Sequence, residues 1–424
     1  MSRPLRILVT TDSFPPVCGG SGWSTWELAR GLIARGHDVR VLKASAGPTN
    51  ALVTETYESC RVTTMQVRAP QTPFVRNMIK NERLWARLTR HLIDLVKRDP
   101  VDIIHAQHVM TTVPSIRAGR ATQTPTVAMV RDYWPVCYWS DLIYDPTQPR
   151  LCPACTAGMM TRCVRPRAGR LAPLAWPMIP YMRANLRTKR HTLAGASAVI
   201  AVSHAIARDI PARAPELHGT PLHTIPNPID MTALDSAAAS SVAPIDGPYV
   251  LYAGKIATNK GTQYLAHAVA DAGIRWPVIV VGDGPQRAAL EADARARGLD
   301  LRVLGWRNRD EVWAWMRHAT LLAFPSYGPE SLSRVLIEAA ALGTPIAAMN
   351  TGGTTDIVQH DVTGLVADDA TAFSRALAAL ANDAALRARL GAAAAVDVHA
   401  RFSAPAVVER IEQVYRGLLG ERVA

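Results

Sequence analysis

Short apolar runs recur along this chain, and most of them end in glycine or polar residues before a stretch of helical periodicity begins. In the second half the runs are YVLYAGK, WPVIVVGDGP, LRVLGW, LLAFPS and TPIAAMN, and in the first half they include LRILVTT, VDIIHAQH, TPTVAMV and ASAVIAV. Strands that are apolar along their whole length are typical of parallel sheets with helices on both faces. The pattern therefore predicts an α/β protein with a doubly wound parallel sheet in each half.

The chain of 424 residues is long enough for two domains with cores of their own. We predict an N-terminal domain over residues 1–230 with a basic, cysteine-containing insertion at about 137–192, and a C-terminal domain over residues 231–402. The alanine- and serine-rich stretch that leads to Pro248 has no strong period, which indicates a linker. No run of about 18 apolar residues could span a bilayer, and the N-terminus leads into a strand rather than a signal peptide. These features predict a cytoplasmic protein.

The net charge of +12 favours an anionic partner: nucleotide phosphates, an acidic lipid surface or nucleic acid. Between Asp145 and Asp209 the sequence has no acidic residue. Basic and apolar residues alternate there: Arg150, Arg162, Arg165, Arg167, Arg170, Arg183, Arg187, Lys189 and Arg190 with Trp176, Met178, Ile179, Tyr181, Met182 and Leu186. Such a segment suits an anionic membrane, so we expect peripheral attachment at the inner face of the cell membrane and no nucleic acid partner. The alternative is a surface helix whose apolar stripe packs on the sheet.

The same region contains Cys137, Cys152, Cys155 and Cys163. Six cysteines in so long a chain are not a disulfide scaffold. The segment CPAC is a C-x-x-C knuckle, and the two cysteines on either side of it could complete a tetrahedral thiolate site for a structural zinc ion. Zinc ribbons normally have two such knuckles and this sequence has one, so independent thiols are the alternative.

The stretch AFPSYGPESLSRVLIEAAALGTPIAAM places Glu330 at the mouth of a predicted helix and Glu338 about two turns deeper. The first free backbone N–H groups, at Ser331, Leu332 and Ser333, are expected to point into a cleft and to suit an anionic or hydroxyl-rich ligand. The spacing of the two carboxylates predicts an elongated ligand with hydroxyl groups at both ends.

Two lysines in GKIATNKG, Lys255 and Lys260, stand at the carboxyl end of the first strand of this half. Two ammonium groups beside a glycine indicate a diphosphate clamp, with two solvated lysines as the alternative. Gly352 and Gly353 form another glycine-bearing loop over the same edge.

In the first half, His105 and His108 lie at the end of one apolar run, and Arg131 and Asp132 follow the next. Because parallel strands bind ligands at their carboxyl edge, these four residues are candidates for one site. A histidine at a strand end is as often a satisfied structural residue, so both interpretations of His105 stay open.

Gly19, Gly20 and Gly22 precede or open the first predicted helix, but they do not reproduce the G-x-G-x-x-G spacing of a dinucleotide site. A loop without β-carbons still lets the backbone approach a phosphate or a sugar at a helix N-terminus. The alternative is a tight strand-to-helix turn with no ligand.

Six segments, in order, resemble family 4 of the glycosyltransferases, the retaining nucleotide-sugar enzymes with the GT-B fold: FPPVCGG, IPNPID, AGKIATNKG, GDGP, PESLSRVLIEA and the late glycine pair. The E-x(7)-E pair is the most specific of these motifs, and the resemblance covers nearly the whole chain. It implies two Rossmann-like domains facing a central cleft, with the acceptor on the N-terminal side and the donor on the C-terminal side. It also implies that a final helix, residues 403–424, crosses back to the N-terminal domain.

By position, the resemblance implies that Glu330 contacts the donor sugar, that Glu338 holds the ribose and that Lys260 binds the diphosphate. Lys255 stands where an arginine is usual, which keeps the charge and loses the bidentate fork. Further donor-side candidates are Gly19, Gly20, Ser331, Leu332, Ser333, Gly282 and Gly305, and the acceptor-side candidates are His105, His108 and Asp132. No metal cofactor is expected for catalysis, because lysines can replace it at the diphosphate and no D-x-D motif is evident at a strand end.

The expected reaction is retaining transfer of a sugar from a nucleotide-sugar donor to a glycan or lipid-linked acceptor, in cell-surface polysaccharide or glycolipid biosynthesis. One departure concerns Arg131, which stands where many relatives have a histidine beside the donor sugar. An arginine can bond a sugar hydroxyl or the departing diphosphate, but it cannot act as a general base. The alternatives are a nucleotide-sugar 2-epimerase on the same fold, which the basic aromatic segment disfavours, and a non-catalytic sugar-nucleotide-binding protein.

Overall fold

A computed structural model describes residues 3–47, 49–69, 84–145 and 150–421. The chain divides into two compact units. The first comprises Met1–Ser140, Met178–Ile229 and Ala404–Ala424, and the second comprises Asp141–Pro177 and Asp230–Ser403.

Over these ranges the strands are β1 (Arg6–Thr11), β2 (Asp38–Gly47), β3 (Ala51–Tyr57), β4 (Cys60–Arg68), β5 (Ile103–Ala106), β6 (Thr126–Val130), β7 (Ile143–Asp145), β8 (Arg150–Leu151), β9 (Ala198–Ala201), β10 (Leu222–Thr224), β11 (Val250–Ala253), β12 (Val278–Val281), β13 (Leu301–Gly305), β14 (Leu321–Phe324), β15 (Ile346–Met349) and β16 (Leu365–Ala367). The α-helices are α1 (Gly20–Ala34), α2 (Trp85–Arg98), α3 (Val109–Thr122), α4 (Ala157–Ala168), α5 (Ala172–Ala175), α6 (Ile179–Leu193), α7 (His204–Arg213), α8 (Met231–Ala239), α9 (Thr262–Asp271), α10 (Arg287–Ala296), α11 (Arg309–Arg317), α12 (Arg334–Ala341), α13 (Ala370–Asn382), α14 (Ala384–Phe402) and α15 (Ala404–Leu418).

Each unit is built on its own parallel sheet. The first sheet has the strand order β10-β9-β6-β5-β1-β2-β4-β3, and its pairs are parallel except β3 with β4. The second has the order β13-β12-β11-β14-β15-β16 and is parallel throughout. The predicted α/β class with doubly wound parallel sheets is confirmed.

Helices cover both faces of the second sheet, which explains why its strands are apolar along their whole length. Val250 and Tyr252 belong to a buried cluster that also contains Leu265 and Val269 of α9. Leu251, between them in the strand, is fully buried as well. None of the helices in the described ranges is long and apolar enough to cross a membrane.

The predicted linker is partly helical. The carboxylate of Asp230 accepts from the Ala233 backbone N–H at 3.1 Å and thereby caps α8. This helix buries Leu234 and Ala238. Its many alanines hide the helical period, because small apolar residues occur on its exposed side as well as its buried side.

The basic insertion divides between the two units, whereas we predicted that all of it belongs to the N-terminal domain. Residues 141–177 belong to the second unit, where α4 packs on β7 and the side chain of Ile143 lies beside Gly328. The later part, α6, packs on α3 of the first unit. Its buried face includes Ile179, Met182 and Leu186, so the apolar stripe of α6 is buried, as the alternative expected, but its packing partner is α3 rather than the sheet.

Candidate functional site

Two of the predicted donor-site residues are direct neighbours in the second unit. Lys260 Nζ donates to Glu330 Oε1 at 2.6 Å, and the hydroxyl of Ser326 donates to the same oxygen. The side chain of Glu330 is 10% exposed and that of Lys260 is 32% exposed. The pair therefore places a carboxylate and an ammonium group side by side at the carboxyl edge of the sheet, where α/β proteins bind ligands.

This contact depends on close packing of the two loops that carry it. Gly261 has φ +68°, and a β-carbon there would lie 1.7 Å from the carbonyl oxygen of Pro325. The carbonyl oxygen of Asn259 accepts from the backbone N–H groups of Tyr327 and Gly328 at 3.2 and 2.7 Å. Only glycine at position 261 allows this approach, so it positions Lys260 against Glu330.

The late glycine pair holds the backbone of Glu330. Gly352 has φ +52°, and a β-carbon there would lie 2.0 Å from the Glu330 carbonyl oxygen. The backbone N–H of Gly353 donates to that oxygen at 2.7 Å. Both glycines thus have a structural role, because they hold the backbone of Glu330 in place.

The predicted start of the following helix is wrong by about one turn. Helix α12 begins at Arg334, and Ser333 is its N-cap, with a side chain that accepts from the Leu336 N–H. Ser331 and Leu332 lie in the preceding loop, and Leu332 is buried. The free N–H groups therefore belong to the residues after Ser333, because a capping serine marks the true helix start.

Glu338 lies inside α12 and is 6% exposed. Its Oε1 accepts from Arg334 Nε at 2.7 Å, one turn earlier in the same helix. The carboxylate predicted to hold a ribose is therefore buried and paired, and Glu330 stands in the loop rather than in the helix.

Gly282 and Gly305 allow close contacts between backbones at the same edge. Gly282 has φ +143°, and a β-carbon there would lie 1.9 Å from the carbonyl oxygen of Gly254. Its N–H donates to the Gly305 carbonyl oxygen at 2.9 Å. These contacts bring the loops after β11, β12 and β13 together, so Lys255, which follows Gly254, has a fixed position.

Lys255 is exposed, and its ammonium group has no hydrogen bond or ion pair to any residue that the structure describes. Trp306, which follows β13, is 70% exposed. The sequence analysis missed this tryptophan, although a large aromatic residue directly after a strand of this edge was a usable signal. This edge thus presents the exposed ammonium group of Lys255 and the exposed ring of Trp306.

Arg131, at the carboxyl end of β6 in the first unit, is enclosed by protein groups. Its Nη1 donates to the Ser21 carbonyl oxygen at 2.6 Å and to the Thr25 hydroxyl at 3.2 Å, and its Nη2 donates to the Gln107 side-chain oxygen. Arg131 is 7% exposed. Its guanidinium group therefore anchors the first turn of α1, beside the exposed glycines Gly19 and Gly20 that begin that helix.

His105 is fully buried and uses both ring nitrogens. Gln107 donates to its Nε2 at 2.8 Å, and its Nδ1 faces the hydroxyl of Tyr415 in α15. Burial, and secondarily the charge of Arg131, lowers the pKa of His105 to about 3. His105 is thus a neutral structural residue here, which is the second of its two interpretations.

His108 differs because one ring nitrogen is left over. Its Nδ1 lies 2.8 Å from the Thr11 hydroxyl, which donates to Ser13, so Nδ1 carries the hydrogen. Its Nε2 is buried without a partner among the described residues. Burial and the charge of Arg131 hold the pKa of His108 well below its usual range, so the 3.6 Å approach of Asp12 is not an ion pair.

Asp132 follows Arg131 and accepts from the Trp134 backbone N–H at 2.7 Å. Burial raises the pKa of this carboxyl group, and the Trp134 N–H and the charge of Lys189 oppose that effect. Hydrogen bonds through Gln107 therefore link Arg131 to His105, whereas Arg131 affects His108 only through its charge. Asp132 is affected by the charge of Lys189 in α6.

Of the four cysteines of the insertion, Cys137, Cys152 and Cys163 are buried and Cys155 is partly buried. In the described ranges no three histidine, cysteine, aspartate or glutamate side chains are grouped so that they could hold a metal ion. Cys152 Sγ donates to the Ala154 carbonyl oxygen, and Cys163 Sγ accepts from Arg167. A structural zinc ion at Cys137, Cys152, Cys155 and Cys163 therefore stays a prediction.

Family models and curated proteins of known function match the sequence of this chain. A family model described as Glycosyltransferase Family 4 matches residues 18–233, and one described as Glycosyl transferases group 1 matches residues 236–397. The chain is 31% identical to the D-inositol 3-phosphate glycosyltransferase of Xylanimonas cellulosilytica over 54% of this chain and 64% of that protein. It is 40% identical to the 2-deoxystreptamine glucosyltransferase of Streptomyces kanamyceticus over 28% of this chain and 32% of that protein. Each match spans less than two thirds of the relative's length.

Solved structures show the same fold. Sucrose-phosphate synthase from Thermosynechococcus elongatus superposes with a TM-score of 0.71 at 20% identity, over 98% of this chain and 99% of that chain. Anabaena Alr3699/HepE in complex with UDP-glucose gives 0.63 at 18% identity, over 97% and 100%. The predicted GT-B fold class is confirmed. Since one family model matches half of its length, the chain belongs to Glycosyltransferase Family 4.

Proposed function

We propose that this protein is a retaining glycosyltransferase that moves a sugar from a nucleotide-sugar donor to a hydroxyl group of a glycan or lipid-linked acceptor, in polysaccharide or glycolipid biosynthesis. The observation that carries the proposal is the Lys260–Glu330 pair, held at the carboxyl edge of the second sheet beside the exposed Lys255. Solved neighbours carry UDP, UDP-glucose or ADP, which supports a nucleoside diphosphate donor.

The chemistry follows from these charges. The bond between the anomeric carbon and the diphosphate breaks through an oxocarbenium-like state and leaves negative charge on the phosphate oxygens. The acceptor hydroxyl oxygen bonds to the anomeric carbon on the same face, and its proton passes to an oxygen of the departing diphosphate. Lys255 and Lys260 stabilise that charge, and Glu330 accepts hydrogen bonds from sugar hydroxyls. Because the glycine contacts fix these loops beforehand, little reorganisation is needed during the reaction. Trp306 offers its ring to the nucleotide base.

The test is incubation with a panel of radiolabelled UDP-, GDP- and ADP-sugars. We expect release of the nucleoside diphosphate with one donor, and retention of the anomeric configuration in the product by NMR. Lys260→Met should reduce turnover about a hundredfold, and Lys97→Met, at an exposed lysine of α2, is the matched control. Epimerised donor would establish the 2-epimerase instead. Donor binding without any turnover would establish a non-catalytic binding protein.

A second proposal concerns membrane attachment and rests on the segment before α6. Leu171, Leu174 and Trp176 are 64%, 77% and 45% exposed, and the nearby Arg170 and Arg165 are exposed as well. We propose that this apolar and basic patch binds an anionic lipid surface, because apolar burial and charge attraction act together there.

Vesicle flotation tests the attachment. The protein should float with phosphatidylglycerol vesicles at low salt and stay behind with phosphatidylcholine vesicles. Changing Leu171, Leu174 and Trp176 to serine should abolish flotation. Val396→Ser, at a 74% exposed valine of α14, is the control. Equal flotation of the triple variant would exclude this patch.

A further inference from the structure

Helix α6 has two polar residues on an otherwise apolar buried face. The apolar members of this face include Ile179, Met182 and Leu186. Asn185 and Lys189 share it, one helical turn apart, and are 3% and 5% exposed. Residues four apart in a helix lie on the same face, so the two side chains are neighbours there.

Neither side chain has a hydrogen-bond partner among the residues that the structure describes. Both amide atoms of Asn185 are buried without a hydrogen-bond partner in the described part of the chain. Over the same residues Lys189 makes no hydrogen bond or ion pair, and its Nζ lies 5.8 Å from the centre of the Tyr138 ring. A buried amide without a partner costs about 1–3 kcal/mol, and an unpaired ammonium group costs more. A ligand that satisfies these atoms would offset that cost.

The surroundings limit which ligand fits. Burial lowers the pKa of Lys189 to about 8, while the neighbouring Asp132 and Cys137 oppose that shift. Asp132 stands at the carboxyl end of β6, on the edge where such sheets bind ligands. Because the charges of Asp132 and Lys189 lie close enough to affect each other's pKa, a ligand with a net charge of either sign would meet one like charge beside them.

We propose that Asn185, Lys189 and Asp132 form an acceptor subsite that binds a pair of hydroxyl groups on an uncharged polyol ring, a sugar or a cyclitol. The Asn185 amide donates to one hydroxyl and accepts from its neighbour. The Lys189 ammonium donates to a ring oxygen or hydroxyl, and Asp132 accepts from a hydroxyl. The role of the bound ring as the acceptor rests on the proposed glycosyl transfer. Binding of the ring itself is tested separately.

Asn185→Leu separates a ligand-binding role from a structural one. If the amide has no partner in the free protein, leucine removes an unsatisfied polar group, so the thermal midpoint should rise or stay equal. The same variant should lose binding of myo-inositol and methyl α-D-glucopyranoside in saturation-transfer difference NMR. Met182→Leu, on the same helix face, is the control and should change neither result. A lower midpoint with unchanged binding would overturn the proposal.

Kinetics with the donor that the protein turns over provide the second test. Asn185→Leu and Lys189→Met should each raise the KM for the ring acceptor about tenfold, which equals about 1.4 kcal/mol. Met182→Leu, on the same face of α6, is the matched control and should leave this KM unchanged. Preference for D-inositol 3-phosphate or for the cationic 2-deoxystreptamine over myo-inositol would overturn the uncharged class. If no donor is turned over, NMR binding alone decides, so failure of the subsite and failure of the proposed function remain distinguishable.

Discussion

The carboxyl edges of the two sheets both carry polar side chains, but these side chains have different partners. At the first sheet, Arg131 is enclosed by Ser21, Thr25 and Gln107, and both ring nitrogens of His105 have partners. At the second sheet, Lys255 is exposed without a side-chain partner among the described residues. At the first edge, Arg131 and His105 form their hydrogen bonds with other groups of the protein. At the second edge, the ammonium group of Lys255 is accessible to a ligand.

This difference changes the interpretation of Arg131. We expected it beside the donor sugar, in the place of a histidine of many relatives. The structure instead shows it donating to the first turn of α1, so we infer that it acts by positioning the glycines there rather than by contacting substrate. Where many relatives have a histidine, this chain thus has a buried arginine whose guanidinium group packs against the start of α1.

Removing Arg131 should have the largest effect on stability. Arg131→Met leaves the buried side-chain oxygen of Gln107 without its charged donor and removes the hydrogen bonds to α1, so we expect a loss of about 3 kcal/mol in the free energy of unfolding. Urea denaturation measures it. Lys255→Met is the matched variant at the other edge and should change stability by less than about 0.5 kcal/mol. Equal losses would erase the distinction between the two edges.

Acid should weaken the first edge selectively. The folded-state pKa of His105 is lowered from 6.5 to about 3, so the unfolded chain binds the proton more readily. Its stabilising contribution is complete above pH 6.5 and is lost as the pH falls towards 3, by up to about 4 kcal/mol. His105→Gln should flatten this part of the stability curve relative to the unmodified protein. An unchanged slope between pH 6.5 and 4 would contradict the assigned neutral ring.

At the second edge the expected losses are in activity. Glu330→Gln keeps the shape of the side chain and removes its charge, so transfer should fall about a hundredfold, equal to about 2.7 kcal/mol. Stability should change by about 1 kcal/mol or less, because Lys260 stays partly exposed. Glu291→Gln, on α10, is the control. Full activity in Glu330→Gln would remove this residue from the site.

The sequence was most informative about strands. Every predicted apolar run became a strand of a parallel sheet, because burial on both faces leaves a continuous apolar signal. Helix boundaries were harder to predict. The start of α12 was placed too early, since the capping role of Ser333 competes with the equally polar Ser331. The helix α8 was missed because its alanines carry no period.

The candidate site was predictable residue by residue but not in its contacts. Lys260 and Glu330 were both identified, yet their direct bond depends on Gly261 and Pro325 meeting across a long separation in sequence. The sequence did not indicate that Asn185 and Lys189 are buried. A polar residue in a basic helix is expected to be exposed, and only the packing of α6 shows which of its faces is buried.

The smallest effect tests whether the free cation of the second edge binds a diphosphate. Lys255→Met should weaken UDP binding about tenfold by isothermal titration calorimetry, which equals about 1.4 kcal/mol. Lys255→Arg should restore or exceed the original affinity, because a guanidinium fork can donate two hydrogen bonds to one phosphate. Lys43→Met, on β2, controls for loss of net charge. If Lys43→Met weakens UDP binding as much as Lys255→Met does, UDP responds to the overall charge of +12 and Lys255 has no local role.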